Sequence, residues 1–306
     1  MKNQTIKSNL FLLLTAAIWG LAFVAQRIGA QYIGTFAFNG IRFALGSLSL
    51  VPLLFCSAKK SKPEREANPS QVLKAGITAG AVLFIASSLQ QIGLVETSAG
   101  KAAFITGLYM VIVPLLGIFL KQSIPVFTWI GVATATVGLY FLSVTKGFTI
   151  VKADLMELTG AFFWALHILL IDRFIKKMDL LQLSFSQFIT CSVLSMAVAF
   201  CTENITLLSI QQAIIPILYG GILSVGVAYT LQAVGQKYAK PAHAAIILSL
   251  EAVFASLGGW LILDENLGFR GYMGCLLMLT GMLLSQLQIL PKTPDFNENK
   301  SCPKTN

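Results

Sequence analysis

The chain has 306 residues, 56 % of them hydrophobic and 11 % charged, against about a quarter charged in an average soluble domain. With 22 basic and 13 acidic side chains, it cannot cover a water-facing surface of this size. A soluble enzyme, a disordered chain and a fibre are therefore excluded, and lipid is the implied solvent. The net charge of +9 does not point to nucleic acid. The Lys and Arg fall in short gaps between apolar runs, as anchors at an anionic membrane face do, and form no stripe.

The first eight residues are short and polar, and the apolar run from Leu10 carries no A-x-A cleavage site, so it reads as a retained first span. A helix crossing about 30 Å of hydrocarbon needs about 20 mostly apolar residues. That window predicts ten spans: 9–29, 34–57, 73–94, 100–120, 124–145, 155–175, 181–202, 209–233, 241–263 and 268–290. The gaps carry turn or charge signals, such as Ser61-Lys62-Pro63-Glu64, Lys176-Lys177 and Asp264-Glu265-Asn266. Ten spans put both termini on one side. With that side cytoplasmic, sixteen of the 22 basic residues lie inside and three outside, a positive-inside bias that places both termini in the cytoplasm and the chain in the plasma membrane.

The chain also repeats itself. Leu89-Gln90-Gln91-Ile92-Gly93 matches Leu231-Gln232-Ala233-Val234-Gly235 at an offset of 142, and the same offset lays Tyr109 on Glu251. Gly131 and Gly138 match Gly274 and Gly281 at 143, and upstream Trp19 falls on Trp164 and Phe43 on Phe188 at 145. The expected domains are a first five-helix repeat at 10–145, a second at 155–290 and a cytoplasmic tail at 291–306. Five is odd, so the second copy sits upside down relative to the first. The fold class expected is an all-α integral membrane protein of two inverted five-helix repeats, an architecture of secondary transporters.

Ala17-Ile18-Trp19-Gly20 in the first span and Asn39-Gly40-Ile41-Arg42-Phe43 in the second carry a family resemblance. So do Leu248-Ser249-Leu250-Glu251-Ala252-Val253-Phe254-Ala255 and the following Leu263-Asp264-Glu265-Asn266-Leu267 turn. On these the chain resembles the EamA-type branch of the drug/metabolite transporter superfamily over nearly its whole length. The resemblance implies ten spans in two repeats and movement of amino acids, drugs or other small metabolites. The family commonly has Pro after the Glu of the ninth span. Here Ala252 stands there, so the resemblance's proline kink is not expected in that span, and Pro114 in the fourth span supplies one in the other half.

Ionisable groups within spans are costly and mark function by default. Glu251 is the acidic residue read as lying deep in a span, suited to a proton or a cationic substrate group. Arg42, with Arg27 and Lys101 toward the outer ends of their spans, forms a set able to capture a carboxylate or phosphate; the alternative for Arg27 and Lys101 is snorkelling to the interface. His167 lies mid-span, three residues after Trp164, where an imidazole can shuttle protons or simply be hydrogen-bonded in place. Glu157, Asp172 and Arg173 read as interfacial helix-end charges, and His243 as a solvated group at the inner end of its span. Gln90, Gln91, Gln232, Trp19, Asn39, Tyr109, Gln187 and Tyr229 are the uncharged groups expected to shape a cavity. Gly76 and Gly80 read as a close-packing device.

No G-x-S-x-G, H-E-x-x-H or Walker loop is present, and the five cysteines show no C-x-x-C spacing; no catalytic residue, cofactor or metal is expected. The function expected is gradient-driven transport of a small organic metabolite by alternating access, with a small-molecule substrate, a coupling proton and the lipid bilayer as partners and a monomer or weak homodimer as the working unit. The competing functions are an intramembrane enzyme on lipid-linked substrates and a channel or partner subunit.

Overall fold

The computed structural model describes residues 2–58, 68–121, 124–143, 152–265 and 268–286; the tail expected at 291–306 lies outside them. All the described elements are helical, as hydrocarbon demands of a backbone that must satisfy its own hydrogen bonds. In chain order they are α1 (Lys2–Gly29), α2 (Thr35–Ala58), α3 (Pro69–Glu96), α4 (Ala99–Gly107), α5 (Tyr109–Phe119), α6 (Val126–Ser143), α7 (Lys152–Phe174) and α8 (Leu180–Thr202). Then come α9 (Leu207–Gln212), α10 (Ile214–Leu218), a wide π helix (Tyr219–Ala228), α11 (Tyr229–Gln236), α12 (Pro241–Leu248), α13 (Glu251–Ile262) and α14 (Phe269–Gln286).

Among the described residues, eight helical stretches are long and apolar enough to cross a membrane. They are Gln4–Gly29, Thr35–Phe55, Pro69–Glu96, Ala99–Phe119, Lys152–Phe174, Leu180–Thr202, Ile214–Gln236 and Pro241–Ile262. The windows at 124–145 and 268–290 hold shorter apolar helices, Val126–Phe141 and Phe269–Ser285.

Local sequence sets the helix starts. Asn68 accepts from the Ser70 amide with Pro69 at the first helical position of α3, Ser98 caps α4, and Asp179 accepts from the Leu181 and Gln182 amides of α8. Each side-chain oxygen satisfies an amide that the helix leaves without a partner. The fourth span breaks at Leu108, where the Leu108 amide reaches Ile105 O at 3.2 Å. The stretch Pro241–Ile262 breaks 142 residues later, with the Leu250 amide on Ile247 O at 3.2 Å. The sequence offers Pro114 as the kink of one half, yet the stretch Pro241–Ile262 breaks with no proline at the break. Ser249 Oγ donates to Ile246 O at 2.8 Å, and such back-bonding bends a helix. Both breaks put a polar residue, Tyr109 or Glu251, at the head of the second half-span.

The helices pack as α2 on α8, α6 on α14, α3 on α7 and α8, and α1 on α13, α11 and the π helix; the π helix also lies on α2, and α7 on α4 and α5. Gly76 and Gly80 of α3 lie against Ser186 and Thr190 of α8, the close-packing role read for them. The α6–α14 seam is backbone against backbone: a Cβ on Gly131 would stand 2.6 Å from Gly281 O, one on Gly281 2.6 Å from Gly131 O, and one on Gly138 2.7 Å from Gly274 O. Only glycine permits that approach. Gly281→Val is expected to lower stability by at least the about 1–3 kcal/mol of an overpacked core, read as a fall in melting temperature of the purified protein; an unchanged melt would show that the seam can open without cost.

The main apolar cluster runs through the bundle from Leu12, Phe23 and Phe43 to Leu83, Leu139, Phe188, Ile246 and Met278. It surrounds a polar interior.

Candidate functional site

A cavity enclosing about 440 Å³ of empty space, its mouth included, lies inside the bundle. Trp19, Ala22, Phe23 and Gln26 of α1 form one wall, with Arg42 from α2, Gln90 from α3, Thr106 from α4 and Tyr109 from α5. The other walls are Trp164 and Ile168 of α7, Ser224 of the π helix, Tyr229 and Gln232 of α11, and Glu251 at the start of α13.

Aromatic rings frame it. Trp19 stands 4.7 Å from Tyr229 and 6.3 Å from Trp164, and Trp164 stacks on Tyr229 at 6.2 Å and 26°. Phe43 and Phe188 back Tyr229 at 6.1 and 5.5 Å. Hydrogen bonds fix these rings. The Trp164 indole donates to Gln90 Oε1 at 2.8 Å, and Gln90 Nε2 donates to Gln26 Oε1 at 3.4 Å. Trp19 Nε1 donates to Ser224 O at 3.1 Å, Thr15 Oγ1 to Ala228 O at 3.2 Å, and Tyr219 OH to Ile18 O at 2.9 Å. These contacts join α1 to the π helix, whose wide turns leave carbonyls for side chains to reach.

A guanidinium and a carboxyl group face the cavity. Arg42 is 3 % exposed, with its guanidinium 5.5 Å from the Phe38 ring centroid and 5.1 Å from that of Phe43. The missing side chain of Gly220 leaves it room, a Cβ there falling 3.3 Å from Arg42 Cδ. Glu251 is also 3 % exposed. Neither group forms an ion pair among the described residues. Arg42 Nε, Glu251 Oε1 and the Tyr109 hydroxyl are buried with no hydrogen-bond partner. Tyr109 and Glu251 are neighbours close enough to interact across the cavity wall. Buried polar atoms of a native protein are nearly all satisfied, so three orphans on one cavity mark where a ligand or water supplies the partners.

Of the thirteen residues singled out from sequence, Trp19, Arg42, Gln90, Tyr109, Tyr229, Gln232 and Glu251 line this cavity. The other six lie elsewhere. His167 and Gln187 pair behind the aromatic wall, Nε2 to Oε1 at 2.9 Å, with the imidazole 6.0 Å from Trp164 and 6.1 Å from Tyr229. Gln91 Nε2 donates to Gln26 O at 3.2 Å, and Asn39 Nδ2 to Ser87 O at 3.1 Å. Arg27 donates to the carbonyls of Leu94 and Val95 at the end of α3. Lys101 pairs with Asp154 at 2.8 Å.

Sequence reasoning missed Gln26, Thr106, Trp164 and Ser224. Gln26 shares the 19-22-23-26 stripe of α1, Thr106 stands one turn before Tyr109, and Trp164 is the repeat mate of Trp19; only Ser224 carried no signal. Two charge assignments also change, those of Glu157 and His243. Glu157 is fully buried inside the bundle, and its Oε2 accepts from Thr106 Oγ1 at 3.0 Å; Glu251 is thus not the only carboxylate buried within a span. Asp172 stays a helix-end charge, paired with Lys176 one turn on. His243 is 5 % exposed and sits between Asn9 at 3.1 Å and Ser285 at 3.3 Å.

The sequence profile of the EamA-like transporter family matches residues 6–144 and again 151–287. The chain belongs to the EamA-like transporter family. A protein of Archaeoglobus fulgidus named "Uncharacterized transporter" is 32 % identical over 293 residues, covering 94 % of this chain and 88 % of that protein. The "Uncharacterized transporter YoaV" of Bacillus subtilis is 22 % identical over 286 residues, covering 92 % and 97 %. A crystal structure 15 % identical in sequence superposes with a TM-score of 0.74 over 92 % of this chain and 96 % of its own, which shows a shared fold. This EamA-like protein is a multi-pass membrane transporter. Its cavity lies where the two matched segments meet, with walls drawn from both.

Proposed function

We propose that the chain is a gradient-driven transporter of a small zwitterionic metabolite, an amino acid or a close relative, working by alternating access. The observation that carries this is the pairing in one cavity of a buried guanidinium and a buried carboxylate, on different helices and not paired with each other. A solute bearing an anionic and a cationic group satisfies both, with the aromatic rings enclosing its apolar part. Ten spans as two inverted five-helix repeats, with both termini cytoplasmic in the plasma membrane, complete the reading. The double family match, the matched breaks before Tyr109 and Glu251, and the charge bias of the gaps support it.

Contacts that join the matched segments occur at both ends of the bundle. At one end Glu203 accepts from the Phe36 and Ala37 amides, both at 2.8 Å, Glu265 from the Ala99 amide at 3.0 Å, and Lys101 pairs with Asp154. At the other, Ser8 Oγ donates to Gly235 O at 2.7 Å and His243 joins Asn9. In alternating access these two sets open in turn around the central site.

The test is a thermal-stability panel on the purified protein with amino acids, the matching amines and the matching carboxylic acids. A zwitterion at 100 times its Kd should stabilise by about 2.7 kcal/mol, and uptake of that solute into proteoliposomes should saturate. Stabilisation by singly charged or neutral solutes with none by zwitterions would overturn the assigned substrate class.

A further inference from the structure

We propose that Glu157 is a second coupling carboxylate, which passes a proton between the Lys101–Asp154 end of the bundle and Glu251 in the cavity through the Thr106 hydroxyl. This rests on the gradient-driven transport reading and names the route by which a proton reaches its site.

Three groups stand in sequence. Asp154 and Glu157 lie one turn apart on α7, and the ion pair of Asp154 with Lys101 marks the bundle end, with the Lys101 side chain 21 % exposed. Glu157 is fully buried against α3, where a Cβ on Gly93 would fall 2.6 Å from its Cγ. That glycine makes the space for a carboxylate which an apolar seam would otherwise exclude. Glu157 Oε1 has no hydrogen-bond partner, while Oε2 takes the Thr106 hydroxyl. Thr106 in turn lines the cavity together with Tyr109 and Glu251.

The titratable and charged groups around Glu157 are Asp154 on its own helix, Lys101 on α4, Tyr109 on α5 and Glu251 on α13; Asp154 and Glu251 both lie within electrostatic reach of it. From α3 the neighbour is Gly93, and Glu96 at that helix end is exposed. No ion pair neutralises Glu157 among the described residues. A buried carboxylate with one orphan oxygen and one hydroxyl contact is built to change its proton occupancy.

The step balances without a co-reactant. A proton taken up at the Glu157 carboxyl forms its O–H. The Thr106 hydroxyl, which donates to Glu157 Oε2 in the resting arrangement, turns its hydrogen toward Glu251, and the protonated carboxyl then donates to Thr106 Oγ as that hydrogen passes to Glu251, directly or through a cavity water. In the transfer the Glu157 carboxyl loses its O–H, Thr106 Oγ gains one and gives up one, and Glu251 gains one, so the net change is one proton moved from Glu157 to Glu251.

Two experiments test this, the first needing no substrate. Infrared difference spectra of the purified full-length protein between mildly acidic and mildly alkaline buffer should show carboxyl C=O bands assignable to Glu157 and Glu251, each lost in its own Gln variant. After a rapid pH drop, Thr106→Val should slow the Glu251 band by about a hundredfold, the scale of a positioned proton-transfer group, and Thr106→Ser should restore it. An unchanged spectrum in Glu157→Gln, or an undiminished rate in a folded Thr106→Val protein, overturns the relay. In the second, proteoliposomes carrying a trapped pH dye are given a pool of the proteinogenic amino acids. Proton flux coupled to amino-acid uptake in the wild type and lost in Glu157→Gln supports the proposal. Coupled flux that survives in Glu157→Gln overturns it. If the wild type gives no flux while the infrared result holds, the substrate class fails and the relay stands.

Discussion

Glu251→Gln is expected to abolish net, gradient-driven accumulation of substrate while leaving the fold intact or more stable than the wild type. The carboxylate is 3 % exposed, lacks an ion pair among the described residues and has an orphan Oε1. Burying such a group costs stability, and in a core it is usually paired. Gln keeps its size and much of its hydrogen-bonding capacity but carries neither the charge nor the proton. A side chain kept for stability would make the variant melt lower. One kept for function makes transport fall by about two orders of magnitude or more with the melting temperature unchanged or raised, the stability–function trade-off of strained sites. Uptake and thermal melts on the same preparation separate the two. Near-normal uptake, or a loss of transport matched by a loss of fold, would remove Glu251 from its role.

Much of this was legible because hydrocarbon leaves few choices. Spans follow from apolar length, and polar groups inside them stand out, so seven of the cavity residues were named from sequence alone. The repeat offset reached further. It paired Trp19 with Trp164 and Phe43 with Phe188, and these pairs flank Tyr229 in the aromatic wall. It also laid Gly131 and Gly138 on Gly274 and Gly281, four glycines of the α6–α14 seam, where the contacts run crosswise, Gly131 to Gly281 and Gly138 to Gly274.

What stayed hidden depends on contacts between helices. Glu157 read as interfacial because it stands near a predicted span edge, but α7 begins at Lys152 and packs on Gly93, which seals the carboxylate in. Arg27 looked like an anion contact; tertiary packing brought the open carbonyls of the α3 end to it, and cations are at home there. The ninth-span break was tied to a proline that the chain lacks, whereas a hydroxyl back-bond accompanies it. Depth along one helix is a sequence property. Burial is a property of its neighbours.

Arg42→Ala is expected to weaken carboxylate-bearing solutes by about 2–5 kcal/mol, the cost of removing one partner of a buried, hydrogen-bonded charge pair, with little effect on the matching amines. The geometry makes the guanidinium a poor structural element and a good receptor. Phe38 and Phe43 flank it, a weak replacement for hydration, and its Nε has no partner. A carboxylate in the cavity would return both hydrogen bonds and charge, in the two-pronged form that Arg presents and Lys cannot. Arg42→Lys is therefore expected to recover only part of the loss despite keeping the charge. Ligand-dependent melting shifts for an amino acid and its decarboxylated amine, measured side by side in wild type and both variants, decide the matter. Selective loss of the acid places Arg42 on the substrate carboxylate. Equal loss of acid and amine would make Arg42 a brace between α2 and the π helix, and would move the anion site elsewhere in the cavity.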